Sequence, residues 1–122
     1  MDQARLARAY TEAFADLRVI TPPEAPAGDV HAWHLYVLRL NDDASVGRDA
    51  LIEQLFAAGI GCSVHYIPLH LQPYWRERYT LRPEQFPHSQ RAYERMLSLP
   101  IHTRMSDADV QRVIAAVRRA LA

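Results

Sequence analysis

"WHLYVLRLNDDASVGRDALIEQLFAAGIGCSVHY" runs from Trp33 to Tyr66, and its hydrophobic pattern changes twice along the way. Trp33–Leu40 is aromatic and branched, the composition of a strand. Both alternating sets are apolar, with Trp33, Leu35 and Val37 in one and Tyr36, Leu38 and Leu40 in the other, so burial on both sides is expected. A polar loop, "NDDASVG", follows. "RDALIEQLFAAG" then has helical spacing, with Leu51, Ile52, Leu55 and Phe56 inward and Gly59 suited to a left-handed C-terminal cap. "GCSVHY", Gly61–Tyr66, reads as a second strand. Strand, helix and strand together occupy about thirty residues, the size of a βαβ or split-βαβ unit.

Working outward, Asp2 to about Leu17 reads as an amphipathic helix with Leu6, Tyr10, Ala13, Phe14 and Leu17 on one side. "VITPPEAPAGDV" breaks that pattern with three prolines and a glycine. The expected organisation is a helix over 1–20, a proline-rich linker over 21–30 and a domain over 31–122. On the C-terminal side, "RERYTLRPEQ" is polar, and "FPHSQRAYERMLSLP" reads as a helix entered at Pro87 and ended before Pro100. "IHTRM" reads as a short extended piece. Ser106 caps a last helix, with Asp109 three residues on. Val110, Val113, Ile114, Val117 and Leu121 form its apolar stripe. The elements assemble into a small α/β layer, a short sheet with helices mainly on one face. The other face then needs cover from the first helix or a partner chain, or it is an interaction surface.

Composition narrows the function. The 122 residues carry no net formal charge, against the basic face that non-specific nucleic-acid or membrane-surface binding requires. The N-terminus lacks a signal-peptide apolar core, no run is long enough to span a bilayer, and the single cysteine, Cys62, fits a reducing compartment; a cytoplasmic protein is expected. All 14 basic residues are arginine. A chain without lysine can form no lysine Schiff base and has no P-loop.

Reactive sites are correspondingly scarce. His31 and His34 point to opposite faces if both are extended, and His65 and His70, which could converge across a proline turn, have no cysteine or carboxylate beside them at ligand spacing. No metal site is expected. Cys62 and His65 also diverge on a strand, so Cys62 reads as a small packed residue. In "HYIPLHLQPYW", His65–Trp75, the aromatics Tyr66, Tyr74 and Trp75 with Leu69 and Leu71 can pack on the core, while His65, Tyr66, His70 and Gln72 bring hydrogen-bonding tips to a strand end. Strand ends are where α/β folds place ligand contacts, which makes this stretch a candidate binding wall.

These motifs, in this order, resemble the C-terminal small domain of the DegT/DnrJ/StrS family of pyridoxal 5′-phosphate (PLP)-dependent nucleotide-sugar aminotransferases. The resemblance rests on "WHLYVLRL", "LIEQLFAAGIGCSVHYIPLHLQPYW" and "FPHSQRAYERMLSLPIHTRMSDADVQRVIAAV", and covers about residues 30–122. It implies the C-terminal domain of a fold type I aminotransferase, α/β (α+β), with a small, mainly antiparallel sheet. The first helix corresponds to the family's interdomain helix. The implied reaction moves an amino group from an amino acid, often glutamate, through PLP to a keto carbon of a nucleotide-diphosphate sugar, usually in a homodimer. The large domain that would hold PLP on a lysine is absent from this sequence, so no cofactor and no catalytic residue are expected on this chain alone. His65, Tyr66 and His70 are implied to border the sugar-nucleotide cleft. A non-catalytic module that binds a sugar nucleotide or a partner protein is the alternative, as is self-association through an uncovered apolar face.

Overall fold

The computed structural model describes residues 2–122. Its sheet has three strands, all antiparallel, in the order β1 (Val19–Ile20), β2 (Tyr36–Leu40), β3 (Met96–Leu99). Tyr36 lies opposite Leu99 and Leu38 opposite Leu97, while Leu40 faces Val19. Directly opposed residues share a face, so these six side chains form one apolar layer, and Tyr36, Leu38, Leu40, Leu97 and Leu99 are buried. Val37, Arg39, Met96, Ser98 and Ile20 occupy the other face. That face is half-buried and mixed in character, not apolar throughout as expected, because Arg39 and Ser98 interrupt it.

Helices α1 (Gln3–Ala13), α2 (Arg48–Ala57) and α5 (Asp107–Ala120) cover the apolar layer. In α1, Leu6, Ala7 and Tyr10 are buried at helical spacing, and the Tyr10 ring meets Tyr36 edge-on at 5.1 Å. Its hydroxyl donates to the Pro100 carbonyl at 2.8 Å, a partner the group needs because its surroundings are otherwise apolar. That burial pushes the Tyr10 phenol pKa up, with Tyr36 and Asp109 adding to the shift. In α2, Leu51 and Leu55 are buried, but Phe56, expected inward, is exposed. Gly59 has φ +78°, which continues no helix and suits glycine. In α5 the Ser106 hydroxyl accepts from the Asp109 N–H while the Asp109 carboxylate takes the Ser106 N–H, so the expected cap is formed reciprocally.

Several boundaries differ from expectation. The first helix ends at Ala13, not near Leu17, and the proline-rich segment contributes β1 before it becomes irregular. Gly61–Tyr66 is not a strand; it touches the sheet only at Ser63, bridged to Ser98. No parallel βαβ unit forms, because the partner of β2 is Met96–Leu99, read from sequence as the end of a helix. That helix, α4 (Pro87–Arg95), stops four residues before the expected end at Leu99. Arg48 holds its end: the nearly buried guanidinium donates to the Tyr93 carbonyl at 2.7 Å and the Met96 carbonyl at 3.1 Å, and lies over the Tyr93 ring. Last-turn carbonyls have no partner inside their own helix, so an arginine placed there supplies one. A helix that periodicity did not reveal, α3 (Pro73–Tyr79), runs from the end of "HYIPLHLQPYW" into the polar stretch, and none of its residues is buried. Among the described residues, no helix is long and apolar enough to cross a membrane.

Arg118 of α5 joins the two chain ends. It donates to the Ala13 carbonyl at 2.6 Å and to both Asp16 carboxylate oxygens, at 2.6 and 2.8 Å. This hydrogen-bonded pairing holds the Asp16 carboxyl at about 2, below its ordinary 3.8. A carboxyl depressed by folding stabilises the fold above its unfolded pKa and loses that contribution as pH falls through its folded pKa. Asp16→Asn is therefore expected to lower the thermal midpoint near neutral pH, with the gap to the parent protein closing as pH falls from about 4 towards about 2. Thermal melts of both proteins across that range check it.

Candidate functional site

The candidate wall begins where the chain leaves β3's edge. Ser63 and Ser98 exchange two backbone hydrogen bonds, at 3.2 and 2.7 Å. Two residues later His65 Nδ1 lies 2.9 Å from the Ser98 hydroxyl. Ser98 is buried, so its rotamer is fixed by packing and it can fix the imidazole in turn. A shallow cavity of about 150 Å³ opens here, with His34, Cys62, Ser63, His65 and Ser98 on its walls. His34 and Ser98 were not among the expected site residues. No local signal marks Ser98, because it comes to His65 only through the strand pairing.

Tyr66 stands outside this cavity. Its ring packs edge-on to His65 with centroids 4.8 Å apart, and it is 73% exposed. The His65–Tyr66 peptide is cis. Ile67, Leu69, Tyr74 and Tyr79 are exposed as well, and Trp75 stacks on Tyr79 at 6.0 Å. Tyr66, Leu69, Tyr74 and Trp75 therefore do not pack on the core. They form an outward aromatic surface beside the cavity.

His70 is placed differently. A short 3₁₀ turn, Leu69–Leu71, directs it inward, where it is 4% exposed and stacked on the Phe86 ring at 5.0 Å. Its Nε2 lies 2.7 Å from Gln90 Oε1. The Gln90 amide nitrogen donates to Glu94, so Oε1 is left to accept and His70 Nε2 carries the proton. His70 thus fastens the turn behind Tyr66 to α4. Gln72 bends back onto the Ile67 carbonyl at 3.3 Å and braces the same turn. Of the expected tips, the structure brings His65 and Tyr66 together at the surface and turns His70 and Gln72 into their own loop.

His31 Nδ1 accepts the Trp33 N–H at 2.8 Å and its ring stacks on Trp33, which occupies the chain where it turns into β2 with φ +48°. Among the described residues, no group of three or more His, Cys, Asp or Glu side chains could hold a metal ion. Burial pushes the Cys62 thiol pKa up, which keeps it protonated near neutral pH.

Two outcomes check this geometry. Cys62 should react with a maleimide or disulfide reagent at pH 8 more slowly than a free cysteine, and at the free rate once the protein is unfolded in guanidinium. His70→Ala should cost about 2 kcal/mol in urea unfolding, because it removes a buried ring and its hydrogen bond to Gln90.

Comparison with known proteins places the arrangement. Residues 2–118 match the model of the DegT/DnrJ/EryC1/StrS aminotransferase family. The chain is 41% identical over 115 residues to an uncharacterised protein of Methanocaldococcus jannaschii. It is 40% identical over 115 residues to the spore coat polysaccharide biosynthesis protein SpsC of Bacillus subtilis. Each match covers 93% of this chain and 30% of the relative. The crystal structure of the aminotransferase TlmJ from Streptoalloteichus hindustanus superposes with a TM-score of 0.82 at 34% identity, covering 98% of this chain and 31% of that one. The chain thus spans less than a third of the length of these relatives, and its small antiparallel sheet with flanking helices is a part of the fold type I aminotransferase structure. By the match across nearly its whole length, the chain belongs to the DegT/DnrJ/EryC1/StrS aminotransferase family.

Proposed function

We propose that this chain is the C-terminal small domain of a cytoplasmic sugar aminotransferase, which moves an amino group from an amino acid, glutamate in the simplest case, through PLP to a keto carbon of a nucleotide-linked sugar. The observation that carries the reading is the family match from residue 2 to 118 in a chain that aligns with only 30% of its relatives' length. The polysaccharide biosynthesis role in the name of the Bacillus subtilis relative supports a sugar as the amino acceptor.

The residues present do not fit resident PLP. The sequence contains no lysine to bind it covalently, and the cavity beside His65 is lined by histidine, serine and a protonated thiol rather than by an amine. The cofactor, and the lysine that handles it, belong in this reading to a large domain outside the chain, with α1 as the helix leading to it. What this chain contributes is binding. His65, held by Ser98, and the exposed Tyr66 ring border the sugar-nucleotide cleft, and His70 keeps their turn in place from behind. The neighbouring aromatic surface, with Leu69, Tyr74 and Trp75, is suited to docking against the large domain or the second protomer of a homodimer.

The test is to join the chain to the large domain of a matched relative and assay transamination of nucleotide-diphosphate keto sugars. Activity and cofactor absorbance should appear together in the joined protein and be absent from this chain alone. Within it, His65→Ala should lower kcat/KM for the sugar about tenfold, the effect of one hydrogen bond lost to substrate, with cofactor absorbance unchanged. Loss of the cofactor in that variant would put His65 on the wrong side of the site.

A further inference from the structure

The mixed face of the sheet holds a second feature, which His65 and Tyr66 do not border. A cavity of about 250 Å³ lies between the end of β2 and α4, with Ile20, Arg39, Asp42, Arg91 and Arg95 on its walls. Arg91 and Arg95 are one helical turn apart, so both reach the same place. Both bind the Asp42 carboxylate, Arg95 at 2.9 Å. Asp43, also on the wall, is 3.3 Å from Arg18. Arg39 makes no ion pair among the described residues. Four arginines thus meet two aspartates, leaving a local excess of positive charge on a chain whose net formal charge is zero.

The hydrogen bonding points the same way. The Nε atoms of Arg39 and Arg95 are the buried side-chain polar atoms without a hydrogen-bond partner among the described residues. A buried N–H of a charged group left without an acceptor is costly, and native structures rarely leave one so. Both guanidinium groups line one cavity beside a third arginine. Each Nε is itself covered by protein, so a ligand there meets the terminal nitrogens, and those of Arg39 have no hydrogen-bond partner among the described residues. The planar guanidinium fork matches the oxygens of a phosphate group, and the ring of donors comes from two rigid elements, a strand and a helix.

We infer that this cavity is an anion site for a phosphate group, with Arg39 as its free cation and Arg91 and Arg95 as donors positioned by Asp42. The group is either free inorganic phosphate or the terminal phosphate of a nucleotide. The site is separate from the proposed cleft, and its existence does not depend on the aminotransferase reading.

The experiment follows the arginine Nε–H resonances of the 122-residue chain in ¹H–¹⁵N spectra while inorganic phosphate is titrated at constant ionic strength, with chloride as the counter-titrant. Saturable shifts of the Arg39 and Arg95 signals are expected. Arg39→Ala should weaken phosphate binding about tenfold or more, as expected for a lost charge-assisted contact, with an unchanged circular dichroism spectrum in chloride. Arg95→Gln provides a second variant should the first fold poorly, and it too should weaken binding. A parallel titration with uridine diphosphate separates the sources. Tighter binding than phosphate through the same resonances identifies a nucleotide-borne group, and equal or weaker binding identifies free phosphate. Shifts that never saturate, or binding unchanged in Arg39→Ala, would overturn the assignment.

Discussion

The antiparallel register of Tyr36–Leu40 on Met96–Leu99 is the constraint on which the rest depends. It sets Tyr36, Leu38, Leu97 and Leu99 on one face, where α1, α2 and α5 can bury them, and Val37, Ser98, Arg39 and Met96 on the other. The side-chain period of a strand is two, so a slip of one residue would exchange these sets. Leucines would meet solvent, and Ser98 would enter an apolar core without His65. The same register therefore fixes the core, the residue that orients His65 and the position of Arg39.

Around that ladder, arginine does work that lysine could not do as well. Arg48 reaches two carbonyls at once where α4 becomes β3, and Arg118 joins the end of α1 to Asp16 with three hydrogen bonds. Arg118 uses the fixed fork of the guanidinium group on the Asp16 carboxylate, and Arg48 meets both carbonyls from one terminal nitrogen while its Nε meets Asp49. A lysine ammonium has its three donors on a single nitrogen and cannot span either set. Arg48, little exposed, is a structural element of the fold in its own right, since removing it would leave turn carbonyls without a partner in a partly buried place. The solvent-exposed pairs Arg5–Asp107 and Arg18–Asp43 contribute much less.

Parts of the fold were legible in the residues and others were not. The buried stripes of α1, α2 and α5 and the apolar set of β2 follow from periodicity, and Ser106 and Asp109 form the cap their spacing suggests. Met96–Leu99 was unreadable as a strand because four apolar-rich residues directly after a helix suit a further helical turn equally well; only pairing with β2 decides between them. α3 escaped notice because it buries nothing, so its sequence carries no apolar stripe. In the candidate wall, His65 and His70 look alike as histidines in a proline-rich turn. Their separate fates depend on Ser98, Phe86 and Gln90, which are distant in sequence.

The sequence by itself determined the chemical limits: no lysine, hence no lysine Schiff base on this chain, and a set of ordered motifs that marks the family. Those depend on residue identity and order, which need no coordinates. Tertiary structure alone decided which face of each strand is buried, which histidine reaches solvent, and that three arginines share one cavity with buried donors unsatisfied. The reason is physical: hydrogen bonds and burial at these places join residues tens of positions apart, and local pattern carries no information about such pairs.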